Sequence, residues 1–294
     1  MIFYYALGGG LGHITRAQVV THALGLQGPI TLAYSPSREA TSIPLGAGFR
    51  PRPVPAQCGG DMQALRAWLE TEVAAAPYHT VFIDAFPGGL LGELCDFPFP
   101  VGARRIHLAR LLNWRAYASA LNGVLPRFST SYMLEALTPE HLAALADCSD
   151  RCLGLELPAP SVADYGPPRL PTEAPLWLIV HAGSDAEILE LVALAQETAR
   201  MAGAAPRFLL LSPKRPGALA ADVLHRNPYP AWPWFEQADR IFSGCGFNTL
   251  RELRPHAHKH TFLPFPRRFD DQFERARRLR VNGAIGKITT TPPT

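Results

Sequence analysis

The residue best suited to moving a proton near neutral pH is His13, which closes the glycine run Gly8-Gly9-Gly10-Leu11-Gly12. Gly10 and Gly12 carry no Cβ, so backbone there can turn sharply or lie against a ligand. A glycine turn opening a helix also invites phosphate, because its N–H groups and the positive helix end point into the loop. Two phosphate-binding motifs were compared with it. A dinucleotide fingerprint wants a third glycine where His13 stands and an acidic residue where Tyr34-Ser35-Pro36 lies, and a P-loop wants a Gly-Lys-Ser/Thr ending that the chain lacks. His13 is left as a general base or as a plain helix cap. Asp84 ends the apolar run Thr80-Val81-Phe82-Ile83, where it could accept the imidazole N–H and fix its tautomer, or cap the next turn. Arg16, one turn beyond His13, could reach a phosphate or an acceptor, or stand in solvent.

A second group gathers late in the chain, in Ser243-Gly244-Cys245-Gly246-Phe247-Asn248-Thr249-Leu250-Arg251-Glu252. Gly246 frees the backbone, Asn248 and Thr249 offer polar contacts at a helix start, and Glu252 could accept bonds from the paired hydroxyls of a ribose. Asp271 and Gln272 open a further helix, where capping is the plain alternative. Gly183 and Ser184 follow another strand, and Ser184-Asp185-Ala186-Glu187 matches a capping box. In the HAHKH run, His256, His258 and His260 would share one face of a strand; they are read as surface residues, not metal ligands.

These groups need strands that end beside them and helices that start there. Ile2–Leu7 reads as a buried strand, and Ala17, Val20, Thr21 and Leu24 give the following helix its apolar stripe. The alternation continues through a strand at 29–34, a helix with Leu65, Leu69 and Val73, a short helix at 88–94, strands near 106–108 and 130–134, and a helix from Pro139. A proline-rich stretch at 159–175 reads as a linker. It separates an N-terminal Rossmann-like domain, 1–158, from a second at 176–294. In the second, Leu176 to His181 is a strand and Ile188, Leu191, Val192, Ala195 and Ala199 form a helical stripe. The fold class is α/β, two Rossmann-like domains facing a cleft, with ligands at the carboxyl ends of the strands.

Composition narrows the function classes. The 294 residues are 47% hydrophobic and 18% charged, which suits a globular chain, and 28 basic against 25 acidic side chains does not suggest a nucleic-acid protein. Five cysteines without a CxxC pair fit a reduced cytosol. With no signal-peptide pattern or long apolar span, the expected location is cytoplasmic, with a peripheral contact on the inner membrane face left open.

Taken together, these stretches resemble the GT-B glycosyltransferases, especially the branch of the peptidoglycan N-acetylglucosaminyltransferase and the small-molecule UDP-glycosyltransferases. Gly10 to Arg16 is similar to the family's N-terminal loop with its histidine. Cys245-Gly246-Phe247-Asn248-Thr249 with Glu252 resembles the donor signature Cys-Gly-Trp-Asn-Ser and its glutamate. Asp271-Gln272 with Ala276 resembles the sugar-binding element, and Val81 to Phe86 the strand bearing the aspartate. Two departures stand out: Gly244 replaces a phosphate-binding histidine, and Arg275 an asparagine of the sugar element.

The resemblance implies sugar transfer from a nucleotide diphosphate donor, a UDP-sugar by the likeness, with inversion, His13 as base and Asp84 as its partner. N–H groups at Gly183-Ser184 and at Phe247-Asn248-Thr249 would meet the diphosphate charge, Glu252 the ribose, and Asp271 and Gln272 the sugar, with no metal and no cofactor. The implied partners are the nucleotide sugar and a small-molecule or lipid acceptor, met by loops that include 49–58 and 111–114. Three alternatives remain: a nucleotide-sugar hydrolase of the same fold, a 2-epimerase, and a nucleotide-sugar-binding protein without turnover.

Overall fold

The computed structural model describes residues 1–8, 11–37, 43–159 and 174–284, the last three without side chains. It divides into two compact units, Met1–Pro158 with Arg268–Asp270, and Ala159–Arg267 with Asp271–Thr294. The proline-rich stretch falls almost wholly outside the described residues.

In the first unit seven parallel strands run in the order β3-β2-β1-β4-β5-β6-β7. They are β1 (Ile2–Ala6), β2 (Ile30–Tyr34), β3 (Phe49–Pro53), β4 (Thr80–Ala85), β5 (Arg104–Ala109), β6 (Thr130–Met133) and β7 (Cys152–Gly154). Strands β1, β2 and β4 are buried along their whole length, as continuous apolar runs in a covered parallel sheet require. Among the described residues of this unit the α-helices are α1 (Gly12–Ala23), α2 (Met62–Ala74), α3 (Trp114–Ser119) and α4 (Pro139–Cys148). The Asp61 carboxylate caps α2 by accepting the N–H groups of Gln63 and Ala64, and Leu65, Leu69 and Val73 then pack with Phe3, Tyr5, Val81 and Ile83.

Two local expectations are corrected here. The segment 88–94 is a chain of turns and not a helix. Gly89 and Gly92 take φ values of +87° and +92°, outside the right-handed helical region, and the buried Glu93 carboxylate accepts the N–H groups of Leu90 and Leu91. Phe49–Pro53, read as loop, is an edge strand, a position that tolerates proline because half of its backbone needs no ladder partner.

The second unit repeats the plan with five parallel strands in the order β10-β9-β8-β11-β12. These are β8 (Leu176–Val180), β9 (Arg207–Leu211), β10 (Val223–Arg226), β11 (Arg240–Gly244) and β12 (His260–Leu263), accompanied by α5 (Asp185–Met201), α6 (Phe247–Leu253) and α7 (Gln272–Ala284). Ile188, Leu191, Val192, Ala195 and Ala199 of α5 pack on Trp177, Ile179, Leu210 and Phe242, so the expected stripe faces the sheet. His256 and His258 lie in a 3-10 stretch, Arg254–Lys259, and do not share a strand face: Pro255 suits a helical first turn, and β12 begins only at His260.

In both sheets the strand order reverses direction once, between β1 and β4 and between β8 and β11. Sheets of this kind take ligands outside the carboxyl ends of the strands at such a reversal. Among the described residues no helix is long and apolar enough to cross a membrane.

Candidate functional site

The reversal in the first sheet carries a three-residue ionic cluster. Asp84, at the carboxyl end of β4, places Oδ2 2.6 Å from His13 Nδ1. Arg16 forks onto the same carboxylate, Nε donating to Oδ1 at 2.6 Å and Nη2 to Oδ2 at 2.5 Å. His13 and Arg16 are three apart on α1, so both fall on the face turned to the sheet, together with Ala17 and Val20. His13 is 8% exposed and Arg16 1%. Gly8 lies under the imidazole: a Cβ there would meet the ring at Nε2, so the close approach requires glycine. Phe86 stands 5.9 Å from the His13 ring, centroid to centroid. Beyond Asp84 the chain turns through Ala85 at φ +69°, a left-handed conformation costly for alanine, held by a bond from His107 Nε2 to the Ala85 carbonyl.

Charge in this cluster is settled by its neighbours. Burial opposes ionisation of Asp84, but the adjacent Arg16 and His13 outweigh it and hold the carboxyl well below the usual carboxylate range. Burial likewise pushes His13 down to about 4, against the pull of Asp84 and with Arg16 and Arg110 helping to keep the ring neutral. An ionised Asp84 can only accept, so the neutral imidazole carries its proton on Nδ1 and presents Nε2 as a lone pair. The Arg16 Nη2 that lies 3.1 Å from Nδ1 then acts as a nearby positive charge and not as a donor to it. The result is an oriented, neutral imidazole with Nε2 unprotonated. Phe269 and Asp270 also belong to this unit: the Phe269 carbonyl accepts the Asn113 N–H at 2.7 Å, and Asp270 pairs with Arg110 at 3.4 Å.

The reversal in the second sheet holds another histidine. His181 directly follows β8, and its Nε2 lies 2.7 Å from Glu187 Oε2 in the first turn of α5. Arg267 donates to both Glu187 oxygens, at 2.6 and 2.7 Å. Ser184 caps α5 by accepting the Glu187 N–H at 3.4 Å. The capping box is therefore half formed, since His181 and Arg267 hold the glutamate carboxylate that would have reached back.

Across the reversal, Gly246 is the N-cap of α6, Phe247 is buried, and Asn248 and Thr249 are half-buried. The Gln272 amide oxygen accepts the N–H groups of Cys245 and Phe265, at 3.2 and 3.1 Å, and Arg275 Nη1 donates to the Cys245 carbonyl at 2.9 Å. Asp271 caps α7 by accepting the Glu274 N–H. Glu252 pairs with Arg251 at 3.1 Å, and burial raises its pKa in spite of that arginine.

Of the residues singled out in the sequence, His13, Asp84 and Arg16 meet in one cluster, with Gly12 as the first residue of α1. Arg16 faces Asp84 and not solvent. Gly183, Ser184, Gly246, Phe247, Asn248, Thr249, Glu252, Asp271 and Gln272 lie in the second unit, and Gly10 lies outside the described residues. Sequence reasoning missed His181, for which a histidine at a strand end, two residues before a Gly-Ser turn, was the available signal. Arg267 stands out in the sequence only as half of the basic pair Arg267-Arg268, which could meet phosphates or simply be solvated, and nothing local marks Glu187 as its partner.

Two parallel sheets of this order, each with its polar cluster at the reversal, define the GT-B glycosyltransferase fold, and solved structures carry the same fold. The spinosyn rhamnosyltransferase SpnG matches with a TM-score of 0.61 at 16% identity, over 97% of this chain and 85% of its own. The Streptomyces sp. SF2575 glycosyltransferase SsfS6, solved with thymidine diphosphate, matches at 0.59 and 12% identity over 96% and 86%. The spinosyn forosaminyltransferase SpnP matches at 0.58 and 15% identity over 99% and 86%. No family model and no curated protein sequence matches the chain.

Proposed function

We propose that this protein is a glycosyltransferase that moves a hexosyl group from a nucleoside diphosphate sugar to an acceptor hydroxyl in the cytoplasm, with inversion at the anomeric carbon. The observation that carries the reading is the buried His13–Asp84–Arg16 cluster at the reversal of a GT-B sheet. His13 Nε2 takes the proton of the acceptor hydroxyl as its oxygen forms the new bond to the anomeric carbon. The bond from that carbon to the phosphate oxygen breaks, and the nucleoside diphosphate leaves with the electron pair. Asp84 holds the ring in the Nδ1–H tautomer and stabilises the imidazolium that forms, and Arg16 keeps Asp84 ionised. A positioned base of this kind contributes about 10²- to 10⁴-fold in rate.

In this reading the N–H groups of Gly183 and Ser184 and of Phe247, Asn248 and Thr249 meet the diphosphate without a metal. Glu252 receives the ribose hydroxyls. Asp271 receives sugar hydroxyls, and Gln272, whose oxygen already accepts two N–H groups, has its amide N–H to offer. The solved glycosyltransferases of this fold support a nucleotide-linked donor, and the thymidine diphosphate of SsfS6 puts dTDP-sugars beside UDP-sugars as candidates.

The test is product chromatography of wild type and His13→Ala with UDP-, dTDP- and GDP-sugars, with and without a mixed acceptor extract. Acceptor-dependent release of nucleoside diphosphate, lower by about 10²-fold or more in the variant, is expected. Free sugar formed at a rate indifferent to acceptor would make the protein a hydrolase, and donor binding without turnover a binding protein.

A further inference from the structure

We propose that His181 is the side chain through which the second unit grips a phosphate anion, and that its imidazole takes up a proton as the anion binds. The inference rests on the nucleoside diphosphate reading above and names a residue which that reading lacks.

The geometry starts from one unengaged atom. His181 Nε2 is fixed on Glu187, while Nδ1 makes no hydrogen bond among the described residues, in a side chain only 9% exposed. The ring borders two glycines at the reversal of the sheet, Gly244 along its Nδ1 edge and Gly183 along its Nε2 edge. A Cβ on Gly244 would stand 2.9 Å from His181 Cε1 and 3.1 Å from Nδ1, and a Cβ on Gly183 would run into the His181–Glu187 contact itself. The start of the 17-residue helix α5 is therefore laid over the imidazole, and β11 ends beside its Nδ1 edge without a side chain in the way. Backbone N–H groups at such a start favour an anion, and the imidazole beside it, with Nδ1 on its Gly244 edge, adds a second, independent donor.

The surrounding charges permit an anion. Among the described residues the ionisable groups facing the ring are Glu187 on α5 and Arg267 on the segment after β12, which neutralises Glu187 through two bonds. From that same segment Phe265 supplies an uncharged ring, 5.0 Å away between centroids, and β11 supplies only Gly244. Asp185, also at the start of α5, is paired with Lys214 at 2.9 Å.

Protonation then follows from the tautomer. With Nε2–H donating to the glutamate, a neutral ring has a lone pair on Nδ1, which repels a phosphate oxygen. Only the imidazolium can hold carboxylate and phosphate at once. Burial keeps the unliganded ring below its ordinary value of 6.5, so the proton has to arrive with the anion.

The experiment is calorimetric titration of the full chain with inorganic pyrophosphate, UDP and dTDP at pH 7.5, in buffers of different ionisation enthalpy, for wild type, His181→Gln and Gly244→Ala. Wild type should take up roughly half to one proton more than His181→Gln per anion bound. Affinity should fall about 10- to 100-fold in His181→Gln, the worth of a bond to a charged group. Gly244→Ala keeps the imidazole but crowds Nδ1, so it should weaken binding in the same direction, and it decides the matter if His181→Gln does not fold.

Nucleotide binding that is equally tight in all three proteins, with no extra proton uptake, would overturn the role of His181 and leave the donor reading standing. Pyrophosphate binding that depends on His181, with no preference for a nucleotide, would support the phosphate site and remove the donor reading. No binding of any of the three anions would overturn both.

Discussion

The two sheets place the same three kinds of group, imidazole, carboxylate and guanidinium, at the same topological point, and they use them at different depths. In the first, the histidine and arginine come from a helix and the aspartate from a strand end, and the arginine side chain is 1% exposed. In the second, the histidine comes from the strand end and the glutamate from the helix, and the arginine side chain is 32% exposed. The engaged nitrogen differs too, Nδ1 in His13 and Nε2 in His181. Depth decides what each cluster can do. A buried, fully compensated carboxylate holds a neutral imidazole in one tautomer, as a base requires. A shallower one, already neutralised by its own arginine, leaves His181 Nδ1 without a hydrogen bond among the described residues, and in the proposed reading that nitrogen takes up a proton when an anion binds.

The comparison is broken most severely by removing the carboxylate. Asp84→Asn strands the Arg16 charge in the interior and should lower stability by about 3–5 kcal/mol in chemical denaturation, with activity lost. Glu187→Gln should cost no more than about 1 kcal/mol, because Arg267 can turn to water. Equal losses at the two sites would contradict the difference in depth. Gly8→Ala comes next: its methyl would displace the His13 ring, and a misplacement of that order should lower kcat/KM by about 10²-fold, with a loss of stability of about 1–3 kcal/mol from the crowding.

The pH dependence sharpens the contrast. His13 and His107 sit near 4 in the folded chain against 6.5 when unfolded, so the unfolded state binds the extra protons. Their stabilisation is complete above 6.5 and is lost as pH falls from 6.5 toward 4, by up to about 1.4 kcal/mol per pH unit for each, measured by denaturation across that range. For the same reason the acid limb of kcat/KM should lie near 4 and not near 6.5. Ala85→Gly is the smallest effect, a change within about 1 kcal/mol in the stabilising direction, as relief of the left-handed alanine offsets the added chain entropy.

Both reversal points could be located from local signals, since each is an apolar strand run followed by a glycine turn and a helix stripe. His13 and Asp84 were legible as candidates because their residue types mark strand ends and loop closures. Arg16 was legible too, for a phosphate or an acceptor or as a solvated residue, but its partner was not, because Asp84 lies 68 residues away in the chain. Phe269 and Asp270 show the same limit more strongly, since their contacts with Asn113 and Arg110 join segments far apart in the sequence. The turns at 88–94 were misread because the buried Glu93, which satisfies two of their N–H groups, looks from its spacing like an ordinary helical residue.

Nitrogen-detected NMR of the imidazoles, assigned by comparison with His13→Gln, reads directly whether His13 is a neutral ring with its proton on Nδ1, as the proposed base must be. An Nδ1–H tautomer that persists from neutral pH down to near 4, with Nε2 unprotonated, is expected. A His13 that carries its proton on Nε2, or is already an imidazolium at pH 7, would contradict it.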